Sequence, residues 1–275
     1  MNKIIVTAVF LLIGSVHIVC SKPQRIISLS PTATEMLYSI DAGKDIIAVD
    51  SHSTYPAHAP KTKLSALEPS LEAIVQYSPD LVITSFDVGN LVAGLTAAGI
   101  TVLLLPAAKT FKDALDQILE LGRVTKKTEN AEALIFDLKQ DFKKLIFLRK
   151  EKPKLRVYHE LDKNFYSPSS SSFLGDIYNK LGFNNIADEA DASNIGYPQL
   201  SAEYILHKNP QLIVTGSRVR GIEKEISNRP GWQKIDAVKY NAIIKIEPDV
   251  SGRWGPRIVD FARKVVLISL EPRYE

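Results

Sequence analysis

The sequence predicts an α/β protein of two similar lobes, each with a parallel-type central sheet, joined by one long backbone helix. Three observations predict it. A segment is written twice, as Ser70-Leu71-Glu72-Ala73-Ile74 through Pro79-Asp80-Leu81-Val82-Ile83-Thr84 and as Ser201-Ala202-Glu203-Tyr204-Ile205 through Pro210-Gln211-Leu212-Ile213-Val214-Thr215, with the two glutamates 131 residues apart. That spacing exceeds the roughly 20–50 residues of a solenoid repeat, so the repeated unit is a whole lobe. Apolar strand runs alternate with helical patterns along the chain, as in a parallel sheet covered on both faces. Between the lobes, residues 128–151 hold neither Gly nor Pro, and Ala131, Leu134, Ile135, Leu138, Phe142, Leu145 and Ile146 recur at helical spacing.

The elements follow in order. Residues 25–30 form a β-branched run closed by Ser30-Pro31, and Thr32 and Glu35 stand in capping-box spacing at the head of a helix. Strands at 45–49, 81–85 and 101–105 alternate with helices at 71–77 and 90–98, and a helix at 111–121 closes the first lobe. The crossing helix follows. The second lobe reads as a strand at 155–158, helices at 173–181 and 202–207, a strand at 212–215, a helix near Trp232, a strand at 242–246 and a final helix at 256–269. Ser167-Pro168-Ser169-Ser170-Ser171-Ser172 is the low-complexity stretch, either a flexible connector or a loop facing the cleft. The expected boundaries are 1–21 for a signal segment, 22–123 for the N-terminal lobe, 124–151 for the connecting helix and 152–275 for the C-terminal lobe.

The first residues carry Lys3, an apolar run from Ile4 to Ile13, then Gly14, Ser15 and small residues near Val19, Cys20 and Ser21, which is secretory-signal grammar. The apolar run falls short of the about 20 residues of a membrane span. Cys20 is the single cysteine, so two maturations stay open: cleavage after Ser21, or a lipid-modified Cys20 tethering the protein to the outer face of a membrane. The segment His17-Ile18-Val19-Cys20 departs from the usual lipoprotein box. Either form lacks a disulfide, and the core must supply the stability. Net charge is +3 with both signs interspersed, which argues against nucleic acid. The cluster Lys143, Lys144, Arg149, Lys150, Lys152 and Lys154 reads as a solvated helix end favoured by the dipole.

Nucleophile elbows, phosphate-cradling glycine loops, HExxH helices and paired cysteines are all missing, which argues against an enzyme and against a resident cofactor. Open α/β sheets bind ligands at the carboxyl ends of their strands. The residues there are Ser30, Thr32, His52, Tyr55, Phe86 and Asp87 in the first lobe, and His159, Tyr166, Tyr197, Arg218, Arg220, Asp249, Arg253, Trp254 and Arg257 in the second. Aromatic faces and guanidinium groups suit a large conjugated or chelated ligand with anionic edges. His52, His58, His159, Glu160 and Asp249 raise a zinc or manganese alternative, with His52 and His159 as the ligands it needs. A secreted two-lobed enzyme is the alternative from another class. Glu72 and Glu203 each follow a serine N-cap by two positions and form matching acidic knobs on the two lobes.

From Arg25-Ile26-Ile27-Ser28-Leu29-Ser30-Pro31-Thr32-Ala33-Thr34-Glu35 to Arg253-Trp254-Gly255-Pro256-Arg257, with Ser78-Pro79-Asp80-Leu81-Val82-Ile83 and Tyr197-Pro198-Gln199-Leu200-Ser201-Ala202-Glu203 between, the chain resembles the extracytoplasmic substrate-binding proteins of ABC importers, in their iron-siderophore and cobalamin group. The resemblance implies two lobes on a rigid helix, a shallow cleft between them, and one glutamate per lobe, Glu72 and Glu203, that docks on arginines of a permease served by its ATPase. It implies capture of a corrinoid or ferric siderophore by a monomer, with haem and metal ions as alternatives. Tyr55, Phe86, Tyr197 and Trp254 fall on or near the aromatic cleft segments of the family's cobalamin binders. The tryptophan those members carry ahead of the Glu72 segment is replaced here by Ala66-Leu67-Glu68.

Overall fold

The computed structural model describes residues 24–271. The signal reading of residues 1–21 and both fates of Cys20 lie outside the described residues. In the N-terminal lobe, β1 (Ile26–Leu29), β2 (Ile46–Val49), β3 (Leu81–Thr84) and β4 (Thr101–Leu104) pair in parallel in the order β2-β1-β3-β4. Between and after them run α1 (Pro31–Ser39), α2 (Leu71–Val75), α3 (Leu91–Ala97) and α4 (Phe111–Val124). The crossing helix α5 (Thr128–Arg149) has 22 residues and so is about 33 Å long. In the C-terminal lobe, β5 (Arg156–Glu160), β6 (Asn184–Asn185), β7 (Leu212–Thr215) and β8 (Ile243–Lys245) repeat the order as β6-β5-β7-β8, also parallel. Its helices are α6 (Phe173–Lys180), α7 (Ala202–Lys208), α8 (Ile222–Ser227), α9 (Asp236–Lys239), α10 (Pro248–Ser251) and α11 (Ile258–Ser269).

The duplication reaches individual side chains. Arg25, just ahead of β1, donates from Nε to the Ser78 carbonyl (2.9 Å) and from Nη2 to the Tyr77 carbonyl (2.6 Å) past the end of α2. Arg156, at the same place in β5, donates from Nε to the Lys208 and Asn209 carbonyls, both at 2.9 Å. The backbone N–H of Arg25 bonds Asp80, and that of Arg156 bonds Gln211, the two residues that follow the repeated prolines. In both lobes an arginine thus meets the carbonyls a helix C-terminus leaves open, where cations are favoured. The serine caps are duplicated too: Ser70 accepts from the N–H of Ala73, and Ser201 from that of Tyr204.

The α5 strut packs along α4 of one lobe and α11 of the other, with Phe142 stacked on Phe111 at 4.6 Å. A further tie runs from Asp176 of α6 to the backbone N–H of Phe111 at 2.8 Å. One apolar core, from Ile26 through Leu138 and Phe142 to Val266, therefore runs through both lobes, a packing that favours small hinge motions over large ones.

Four local expectations differ. The helix at α1 is capped by Ser30, which accepts from Ala33, rather than by a Thr32–Glu35 box; the Glu35 carboxylate is drawn to arginines of the other lobe. The helix expected near Trp232 is a single tight turn, Trp232–Lys234, and α8, α9 and α10 are helices too short to show a period. The serine loop 167–172 is not a loose tether: Ser169 bonds Asp191 and Gly196, and Ser170 bonds Asp188. A Cβ at Gly175 would lie 1.8 Å from the Ser169 carbonyl oxygen. Gly175→Ala is therefore expected to cost about 2–3 kcal/mol and several degrees of thermal midpoint, read by calorimetry; an unchanged midpoint would show that the loop yields.

His159 is the fourth difference. It lies inside β5, fully buried, stacked on Phe261 with ring centroids 6.0 Å apart, and its Nδ1 is 2.9 Å from the Tyr178 hydroxyl. It is a core residue, neither a cleft contact nor a metal ligand, and among the described residues no group of three or more His, Cys, Asp and Glu stands close enough to hold a metal ion. Burial pushes its pKa down to about 3, whereas in the unfolded chain it titrates near 6.5. The unfolded state thus binds more protons between these values, so this contribution is intact above about pH 6.5 and lost as the pH falls toward 3. Between pH 7 and pH 5 it should weaken folding by about 2 kcal/mol. Urea unfolding at the two values measures this, and His159→Gln should flatten the dependence.

Candidate functional site: the interlobe cleft

The carboxyl ends of β1, β2 and β3 open on a cavity of about 310 Å³. Its N-lobe wall comes from residues just past each strand, Ser30, Asp50, Ser85 and Phe86, and from Ala66 and Leu67 of the loop before α2. Its other wall is Gly252, Arg253 and Trp254, between α10 and α11 of the second lobe. The Ser85 hydroxyl donates to that of Ser30 at 2.8 Å, which fixes the floor. The lining is mostly apolar with a few directed polar groups, the usual make-up of a small-molecule site.

A charged knot holds the walls together. Glu35 of α1 is buried, and its carboxylate accepts from Arg253 Nη1 (2.6 Å) and from Arg257 Nε (2.8 Å) and Nη2. Arg253 also donates to the His52 carbonyl at 3.0 Å, and Arg257 to the Asp249 carbonyl at 3.1 Å. The Arg257 guanidinium lies over the Tyr55 ring, 4.1 Å from its centroid. Asp249 accepts from Arg218 Nη2 at 2.8 Å and from the Thr54 hydroxyl at 3.3 Å. Hydrogen bonding to Glu35 is the main cause that raises the Arg257 pKa above the ordinary guanidinium value. Two cations share one buried anion here, and Asp249, 3.4 Å from Arg253 and 2.8 Å from Arg218, completes a knot in which the guanidinium groups are matched by carboxylates.

The expected site residues therefore fall into groups. Phe86, Arg253, Trp254 and His52 meet at the cavity. Asp249, Arg257, Tyr55 and Arg218 belong to the knot beside it, and the guanidinium groups of Arg253 and Arg257 are directed at Glu35 rather than displayed to solvent. Tyr55 also borders a separate hollow with Tyr38 and His58. Tyr166 and Tyr197 stand half-exposed on adjoining segments past β5: Tyr166 bridges Gln199, and Ser167 bonds the Pro198 carbonyl. Arg220 is exposed on the loop before α8, away from the cavity lining. Sequence reasoning passed over Glu35 as a knot residue and Gln117 of α4, which accepts from the Trp254 indole N–H at 2.9 Å and orients that ring.

Residues 26–250 match the family model described as periplasmic binding protein. The chain belongs to this family. Among relatives, a vitamin B12-binding protein of Pectobacterium carotovorum is 30% identical over 260 residues, covering 91% of this chain and 90% of its own. An uncharacterized ABC transporter substrate-binding lipoprotein of Bacillus subtilis is 29% identical over 250 residues, 87% of this chain and 77% of its own. Among solved structures, a possible iron-binding periplasmic solute-binding protein of Staphylococcus epidermidis superposes with a TM-score of 0.79 at 25% identity, covering 91% of this chain and all of that one. The fold is thus that of a two-lobed periplasmic binding protein, and among the described residues no helix is long and apolar enough to cross a membrane.

In this periplasmic binding protein the repeated glutamates occupy equivalent positions. Glu72 and Glu203 are each the second residue of a short helix, α2 and α7, and both are exposed. In a parallel α/β lobe a helix runs back against its strands, so both N-termini lie at the strand ends that form the cleft.

Proposed function

We propose that this protein captures a corrinoid or a ferric siderophore between its lobes, outside the cytoplasm, and delivers it to an ABC permease. Family membership supports ligand capture, delivery and the extracytoplasmic location. What carries the reading is the cavity at the strand ends, walled by Phe86 and Leu67 on one lobe and Trp254 on the other, with an arginine–carboxylate knot joining the lobes at its side. A cavity of about 310 Å³ grips an edge of a large ligand rather than enclosing it, which suits a macrocycle or chelate held in a shallow cleft. Leu67, 62% exposed at the cavity edge, presents aliphatic surface there. Glu72 and Glu203 are the permease contacts in this reading, the protein acts as a monomer, and lipidation of Cys20 would keep it at the membrane.

Tryptophan fluorescence tests the site. Trp232 is buried in the second lobe, and Trp254 faces the cavity, so ligand-induced quenching reports on Trp254. Trp254→Ala should remove most of the quench and weaken binding about tenfold, roughly 1.4 kcal/mol. Full quenching retained in that variant would place the ligand elsewhere.

A further inference from the structure

The outer face of α5 belongs to no part of the ligand or docking site. Phe136, Gln140, Lys143, Phe147 and Lys150 recur at steps of four and three and so share one side of the helix. Phe147 is 75% exposed and Phe136 61%, and Leu148 beside them is also exposed, which is unusual apolar display for a helix that otherwise packs on two lobes. Lys139, Lys143 and Lys150 make no ion pair among the described residues, and Lys144 pairs with Asp141. Residues 139–154 hold six lysines against two acids, Asp141 and Glu151. A shallow hollow of about 480 Å³ is lined there by Gln140, Lys143, Lys144, Phe147 and Leu148.

We infer that this face rests on an anionic phospholipid surface, with Phe136, Phe147 and Leu148 at the headgroup boundary and the lysines against the phosphates. Aromatic and aliphatic side chains interleaved with lysine are the composition that binds in the plane of such an interface. Charge decides the occupant. A second copy of this chain would bring lysines against lysines, whereas an anionic leaflet attracts them, on the order of fivefold in affinity per lysine. β5 begins just past this patch, so the patch lies at the amino end of that strand and not at its cleft-facing carboxyl end.

Flotation of residues 22–275, which contain all of the described core, with vesicles of phosphatidylcholine plus phosphatidylglycerol or of phosphatidylcholine alone tests the inference. The expected result is co-flotation with the anionic vesicles only, lost at high salt and reduced at least tenfold in a Lys143→Glu, Phe147→Glu variant whose thermal midpoint and ligand quenching are unchanged. Absence of co-flotation, equal binding to neutral vesicles, undiminished binding of the variant, or a wild-type dimer that the variant abolishes would each overturn it. None of these outcomes bears on ligand capture, which is read separately in the same variant.

Discussion

The Glu72→Ala, Glu203→Ala double variant is expected to bind ligand as tightly as the wild type and to lose uptake by on the order of 100-fold in cells. Both carboxylates are exposed on helix N-termini, and Glu72 accepts from the hydroxyl of its own serine cap at 3.1 Å. Within the protein each contributes only a helix-dipole term, about 0.3–1 kcal/mol, so folding and cleft geometry should survive. At a docked interface each would sit against a permease cation, where truncating one partner costs about 2–5 kcal/mol because it strands the other. The duplication makes the two contacts near-equivalent, and each single variant should show an intermediate loss. Transport of radiolabelled ligand, set beside the titration of the purified protein, separates the two effects. Unchanged uptake in the double variant would remove these glutamates from docking.

Glu35→Ala should be the most destabilising single change at the cleft. It removes the buried anion that Arg253 and Arg257 share, leaving Arg257 without its carboxylate and Arg253 with only the longer contact to Asp249 at 3.4 Å. Breaking a buried pair in this way costs about 3–5 kcal/mol, which for a chain of this size lowers the thermal midpoint by roughly 10 °C. The same variant should weaken ligand binding, because Arg253 forms part of the cavity wall and loses its anchor. A midpoint within 2 °C of wild type, by calorimetry, would show that the knot contributes little to holding the lobes.

The fold was legible because it is periodic and duplicated. Leu81–Thr84 and Leu212–Thr215 are buried strands of continuous apolar character, and the equal spacing of Glu, Pro and Thr around them announced a second lobe with the same topology. The long helix was equally open to reading, since nothing in 128–149 breaks it. The site was legible only in part. Strand ends are predictable from the sheet, which puts Phe86, two residues past β3, at the cavity, whereas Trp254 lies beyond α10 and reaches the cavity only through the packing of the lobes; which side chains turn into the cleft is decided by partners far away in sequence. Glu35 looks like a capping residue until Arg253 and Arg257, more than 200 positions later, are placed against it. His159 follows the strand pattern and looks like a cleft residue by position, but β5 continues through Glu160, and the histidine turns into the core against Phe261 and Tyr178. The serine run resembles a flexible linker by composition, yet its hydroxyls are matched by Asp188 and Asp191, about 20 residues on.

The central claim, capture of a corrinoid or ferric siderophore between the lobes, is tested most directly by isothermal titration of residues 22–275 with cobalamin, with ferric hydroxamate and catecholate siderophores, and with zinc and manganese salts. The account predicts one-to-one, saturable binding of cobalamin or of a ferric siderophore, weakened about tenfold by Trp254→Ala, and heat of dilution alone from the bare metal ions. Saturable binding of zinc or manganese with silence from every corrinoid and ferric chelate would contradict it.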